Sequence, residues 1–196
     1  MTKPNYTHCT LIVDRSGSMG NKAVEATNGI KVLQDEQFAL PGEFTLTLSE
    51  FDTQYDRVFV MTDEPKDYTL VPRGGTALLD SVAREIVRTG EDLFNLAEED
   101  RPEKVMFVIV TDGEENSSTT YDLEEVKSMI EHQKTNYGWE FLFLGADTSA
   151  WMGHALGTVT TSYQNTGAGT QAAYGTVSSS LRSMRAGEDY EVPENI

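Results

Sequence analysis

The chain has 196 residues, 38% of them hydrophobic, with 32 acidic and 15 basic side chains, a formal net charge of −17 and one cysteine. Length and composition predict a folded domain with a full core and exclude a disordered chain. The negative charge argues against binding nucleic acid or an anionic membrane surface, and a lone Cys9 excludes an intrachain disulfide.

A buried thiol of this kind fits a reducing, cytoplasmic setting. The opening MTKPNYTHCT has no apolar stretch of signal-peptide length, and no window approaches the ~18 apolar residues that span a bilayer. One domain is expected over residues 1–187, followed by a loose acidic tail, 188–196.

Residues 6–13 predict a first strand, whose apolar run Leu11-Ile12-Val13 stops at Asp14. Ala23, Ala26, Ile30 and Leu33 then recur at helical spacing, giving a helix over about 21–36 that ends before Pro41-Gly42. Phe44, Leu46 and Leu48 alternate with polar residues, and Tyr55 to Met61 follows a short turn, so an antiparallel hairpin is expected. Residues 62–75 form a loop broken by prolines and glycines.

A second helix starts at Ala77 with Leu79, Val82 and Ile86 on one face and a break expected at Gly90. Val105 to Val110 is continuously apolar, the mark of a strand covered on both sides, and it too stops at a carboxylate, Asp112. A third helix spans Asp122–Gln133, and Trp139–Leu144 is another buried strand. Asp147 is a candidate N-cap for a short helix through Trp151, with both tryptophans expected in the core. A last strand, Val159–Tyr163, precedes a final helix over 170–185. Strands alternating with helices predict a three-layer α/β/α sandwich, Rossmann-like, with a mostly parallel sheet and one antiparallel edge strand.

In such a sheet, ligands bind beyond the carboxyl ends of the strands where strand order switches. Asp14 and Asp112 follow the two most apolar strands. If those strands are neighbours, the carboxylates share one crevice. Ser16 and Ser18 follow Asp14 on a tight turn, and Gly74-Gly75-Thr76 enters a helix with its hydroxyl available. Asp14, Ser16, Ser18, Thr76 and Asp112 thus offer two anions, three hydroxyls, and no nitrogen or sulfur. That donor set suits a hard divalent cation: Mg²⁺, with Mn²⁺ or Ca²⁺ as alternatives.

The segments DRSGSM, GGTALLD and VIVTDGEEN, in that order and context, resemble the three loops of the metal-ion-dependent adhesion site (MIDAS) of von Willebrand factor type A (VWA) domains. The resemblance covers nearly the whole chain and is to small, single-domain prokaryotic or phage members. It implies that Ser16, Ser18 and often the threonine, Thr76, ligate the ion, while Asp14 and Asp112 act largely through water. It further implies a non-enzymatic module that captures an Asp or Glu of a partner protein.

The role could be a free-standing adaptor or a subunit working with a separate AAA+ ATPase. A Mg²⁺-dependent phosphohydrolase is the enzymatic alternative, although such enzymes usually place more carboxylates on the metal. Arg15 and Arg73 flank the site and are read chiefly as solvated surface, as are Glu114 and Glu115. Gly167, Gly169 and Ala172 match a dinucleotide-binding pattern but follow a weak, late strand, so they read as helix-entry residues. His8, His132 and His154 show no zinc-ligand spacing.

Overall fold

The structure is a computed structural model that describes residues 2–147 and 149–196. In chain order the elements are β1 (Lys3–Asp14), α1 (Ala23–Ala39), β2 (Glu43–Phe51), β3 (Tyr55–Thr62), α2 (Leu78–Asn95), β4 (Pro102–Thr111), α3 (Leu123–Tyr137), β5 (Glu140–Ala146), α4 (Ala150–Leu156), β6 (Val159–Tyr163) and α5 (Gly167–Ala186). Six strands form one sheet in the order β3-β2-β1-β4-β5-β6. Only the β2–β3 pairing is antiparallel among them; the others are parallel. This is the expected three-layer sandwich with an antiparallel edge.

Successive side chains of a strand point to opposite faces, and the core divides accordingly. Cys9, Leu11 and Val13 of β1 pack with Ile30 and Leu33 of α1 and with Tyr174, Val177 and Leu181 of α5. Ile12 and the β4 residues Phe107 and Ile109 pack with Val82 and Ile86 of α2, Val126 of α3 and Met152 of α4. Thus α1 and α5 cover one face while α2, α3 and α4 cover the other. The continuous run Val105–Val110 is buried throughout because β4 lies between both layers. Gly29 sets the approach of α1 to α5: a Cβ there would lie 2.5 Å from Tyr174 Cδ2.

Four local expectations are corrected. Gly90 does not break α2, because burial of Val82, Ile86 and Leu93 outweighs the ~1 kcal/mol that a helix-interior glycine costs. The N-cap of α4 is Ser149 rather than Asp147. Met152 and Leu156, four apart, take the inner side of that short helix, which leaves Trp151 54% exposed, whereas Trp139 is buried as expected.

The acidic stretch 188–196 is not loose. Ser162 N–H donates to Glu194 O and Ile196 N–H donates to Ser162 O, both at 2.8 Å. Tyr190 Oη donates to Glu140 at 2.6 Å, and Tyr190, Val192 and Ile196 pack against the core. A sheet edge offers unpaired backbone groups, and this segment satisfies those of Ser162 in β6.

No helix among the described residues is long and apolar enough to cross a membrane.

Candidate metal centre

Strand order switches between β1 and β4. From β1 the chain moves through α1 to β2 on one side; from β4 it moves through α3 to β5 on the other. Val13 pairs with Val110, so Asp14 and the Thr111-Asp112 pair emerge together at one rim. The two carboxylates are 0% and 4% exposed.

Hydrogen bonds join them through the first loop. Asp14 Oδ1 accepts from Ser16 N–H at 2.7 Å, and its Oδ2 accepts from Thr111 Oγ1 at 2.6 Å. Ser16 Oγ lies 2.9 Å from Ser18 Oγ, and Ser18 Oγ donates to Asp112 Oδ1 at 2.6 Å.

Thr76 enters from the loop before α2. A Cβ built on Gly113 would lie 2.9 Å from Thr76 Oγ1, 3.2 Å from Asp14 Oδ2 and 3.5 Å from Ser16 Oγ. Oxygens from two loops and the end of β1 therefore surround one small space that a methyl group would fill. Thr76, Asp14 and Ser16 border this space, and Ser18 and Asp112 join them through the hydrogen bonds from Ser16 to Ser18 and from Ser18 to Asp112. Among the described residues, no group of three or more His, Cys, Asp or Glu could hold a metal. A cation at this point would rest on hydroxyls and two carboxylates, a donor set that fits a hard divalent ion.

Burial disfavours the charged form of Asp14. Burial raises its carboxyl to about 6, against the hydrogen bonds from Thr111 and Ser16, and the charge on Asp112 adds to the rise. A cation and a proton then compete for the same group. Stabilisation by Mg²⁺ is accordingly expected at pH 7.5 and should shrink below pH about 6, checked by thermal melts with Mg²⁺ and with chelator at each pH.

The loops are fixed to one another by residues that carry no signature in the sequence. Thr76 N–H donates to Asn116 Oδ1 at 2.9 Å, and Thr76 O accepts from the N–H groups of Asn116 and Ser117 at 3.0 and 3.1 Å. Glu115 is not a solvated surface residue. It accepts from Leu79 N–H at 2.8 Å and caps α2, whose own N-cap residue, Ala77, has no side-chain oxygen to do so. Glu114 is exposed, as expected.

Arg15 is likewise not surface: it is 5% exposed and pairs with Glu50, Asp52 and Asp56. Arg73 is half-exposed and shares Asp52 Oδ2 with it, Nε to oxygen distances being 2.6 Å for Arg73 and 3.0 Å for Arg15. Both arginines tie the first loop and the loop before α2 to the β2–β3 turn. Backbone bonds from Arg73 N–H to Arg15 O (2.7 Å) and from Gly17 N–H to Gly74 O (3.1 Å) complete the seam.

Lys22, at the start of α1, has no sequence signature for a role here. Its side chain is buried, and Nζ contacts both Asp112 Oδ2 and Asn165 Oδ1. Thr166 caps α5 through Gly169 N–H, so the glycines there are helix-entry residues.

No protein-family model matches this chain, and no curated protein matches it. Solved structures do. PTMP1 of the mussel byssus, in a structure with a zinc-occupied MIDAS motif, superposes with TM-score 0.63 at 14% identity over 88% of this chain and 45% of its own. A von Willebrand factor type A structure from Catenulispora acidiphila gives 0.62 at 17% identity over 88% of this chain and 42% of its own. The vWF domain of the type V pili tip protein Mfa5 from Porphyromonas gingivalis gives 0.59 at 12% identity, covering 96% and 98%. This chain thus spans less than half of PTMP1 and nearly all of the Mfa5 domain. Strand order, layer assignment and these superpositions agree: the chain has the von Willebrand factor type A fold.

Proposed function

We propose that the chain is a non-enzymatic, metal-dependent protein-binding module. Asp14, Ser16, Ser18, Thr76 and Asp112 hold a divalent cation, Mg²⁺ by preference or Mn²⁺ or Ca²⁺, and the loaded site captures an Asp or Glu side chain of a partner protein. The observation that carries this reading is the convergence of the oxygens of Thr76, Asp14 and Ser16 on the space beside Gly113. The zinc-occupied MIDAS of PTMP1, a structure of the same fold, lends it further support.

A bound cation supplies Lewis-acidic attraction for a carboxylate. The protein's part is to hold the donors in place. Thr111 and Ser16 N–H orient Asp14, and Ser18 orients Asp112. Asn116 orients Thr76 through its backbone, so that its hydroxyl stays at the rim. Hydroxyl donors add no charge, which leaves the cation electrophilic towards an incoming anion.

A pull-down from concentrated lysate with the immobilised chain tests the reading. Partners should be retained with Mg²⁺, released by chelator, and bound by Asp14→Ala at least about tenfold more weakly than by wild type, a loss of about 1.4 kcal/mol or more. Retention of the same partners by Asp14→Ala in chelator would overturn it. Phosphate release from a substrate panel is expected to stay at background; Mg²⁺-dependent turnover lost in Asp14→Ala would instead favour a phosphohydrolase.

A further inference from the structure

Lys22 is 2% exposed, and its ammonium contacts both Asp112 Oδ2 and Asn165 Oδ1. Asp112 Oδ1 is taken by Ser18. Both oxygens of this carboxylate therefore have protein partners, and one partner is itself a cation. Buried lysines are rare unless paired, and this one is paired with a member of the site. Its backbone is occupied elsewhere, N–H to Met19 O and O to Ala26 N–H, so the side chain is not needed to start α1.

We propose that Lys22 is a built-in counter-cation that trades metal affinity for anion capture. The inference rests on the metal-dependent reading above and deepens it. Asp14, Asp112 and Lys22 carry a formal charge of −1 together. A divalent cation raises this to +1, and the loaded site attracts a carboxylate. Without Lys22 the same groups carry −2, the cation brings them only to zero, and the pull on an anion weakens. Removing the ammonium also frees Asp112 Oδ2. Lys22 thus lowers affinity for the metal and raises the affinity of the loaded site for acid groups. Asn165, from the loop before α5, helps hold the ammonium in place.

The test is titration calorimetry with Mn²⁺ alone on wild type, Lys22→Met, Lys22→Gln and Lys22→Arg. Acetate binding to the Mn²⁺-loaded proteins is then followed by water-proton relaxation. Two charges within a few ångströms inside a protein interact strongly enough that Lys22→Met and Lys22→Gln should bind Mn²⁺ at least about tenfold tighter than wild type. Lys22→Arg should stay within about threefold of wild type, and acetate should bind the two neutral variants more weakly. Thermal melts run beside the titrations: the neutral variants should melt lower than wild type in chelator and recover with Mn²⁺, because Asp112 loses its buried partner and regains one.

Equal Mn²⁺ affinity in wild type and both neutral variants overturns this inference and leaves the metal-dependent reading standing. Mn²⁺ binding only when Lys22 is neutral overturns that reading for the natural chain and supports Lys22 as the cation of its site. Absence of binding in every protein overturns both.

Discussion

Gly113→Ala is expected to abolish stabilisation by Mg²⁺ while leaving the fold intact. The added methyl would stand 2.9 Å from Thr76 Oγ1 and 3.2 Å from Asp14 Oδ2, in the space that their oxygens share with Ser16 Oγ. Those atoms cannot retreat far. Asp14 is held by Thr111 and Ser16, and Thr76 is held through its backbone by Asn116 and Ser117. The glycine itself is not in the left-handed region, so its backbone accepts alanine. In wild type a ligand present at about 100 times its dissociation constant stabilises the native state by about 2.7 kcal/mol. The variant should lose all of it, and in chelator it should melt lower than wild type, less stable by about 1–3 kcal/mol, the cost of overpacking a filled site. Calorimetric scans with and without millimolar Mg²⁺ measure both quantities. An undiminished Mg²⁺ shift in Gly113→Ala would place the cation elsewhere.

Why the sequence disclosed some of this site and concealed the rest follows from the range of the interactions. The strands announced themselves locally: Val105–Val110 is apolar at every position because both of its faces are covered, and Phe44–Leu48 alternates. Carboxylates at the ends of the two most apolar strands then pointed to a shared crevice, and the register of β1 against β4 realises it. The supporting residues have no such signature. Arg15 reads as a surface residue until β2 and β3 bring Glu50, Asp52 and Asp56 around it. Glu115 caps a helix that begins 37 positions earlier, at Leu78, so no capping motif is visible in sequence. Lys22 finds its partners 90 and 143 positions away. Residues 188–196 look disordered by charge alone, yet Tyr190, Val192 and Ile196 give the segment enough apolar contact to lie on β6. A side chain's role is legible where its own element sets its environment and hidden where a distant element sets it.

The same limit hid a polar seam inside the sheet, and it carries the largest expected pH effect. His8, Thr10 and Ile12 share the face of β1 that looks toward α2, opposite the apolar Cys9, Leu11 and Val13. His8 Nδ1 is 2.8 Å from Thr45 Oγ1 and Nε2 is 3.2 Å from Thr10 Oγ1. Thr10 Oγ1 lies 3.0 Å from Thr89 Oγ1, and Thr89 donates to Glu85 at 3.0 Å. Glu85, fully buried, is paired with Arg57 and accepts from Ser49 and Tyr55.

Burial, followed by the charge of Arg57, lowers the imidazole from 6.5 to about 3. The folded chain therefore binds this proton less readily than the unfolded chain. Stability from His8 is complete above pH about 6.5 and falls as pH drops towards 3, by up to about 5 kcal/mol at ~1.36 kcal/mol per pH unit. Asp14 acts in the opposite sense, because its folded value near 6 lies above the unfolded 3.8 and protonation below pH 6 favours the native state. Comparison with His8→Gln separates the two, since Asp14 is common to both proteins. Glutamine keeps a donor and an acceptor for Thr45 and Thr10 but takes up no proton. The wild-type-minus-variant difference in urea unfolding free energy should be constant from pH 7 to 8 and fall steadily from pH 6.5 to 4. A difference that is flat across that range would show that protonation of His8 carries no stability cost.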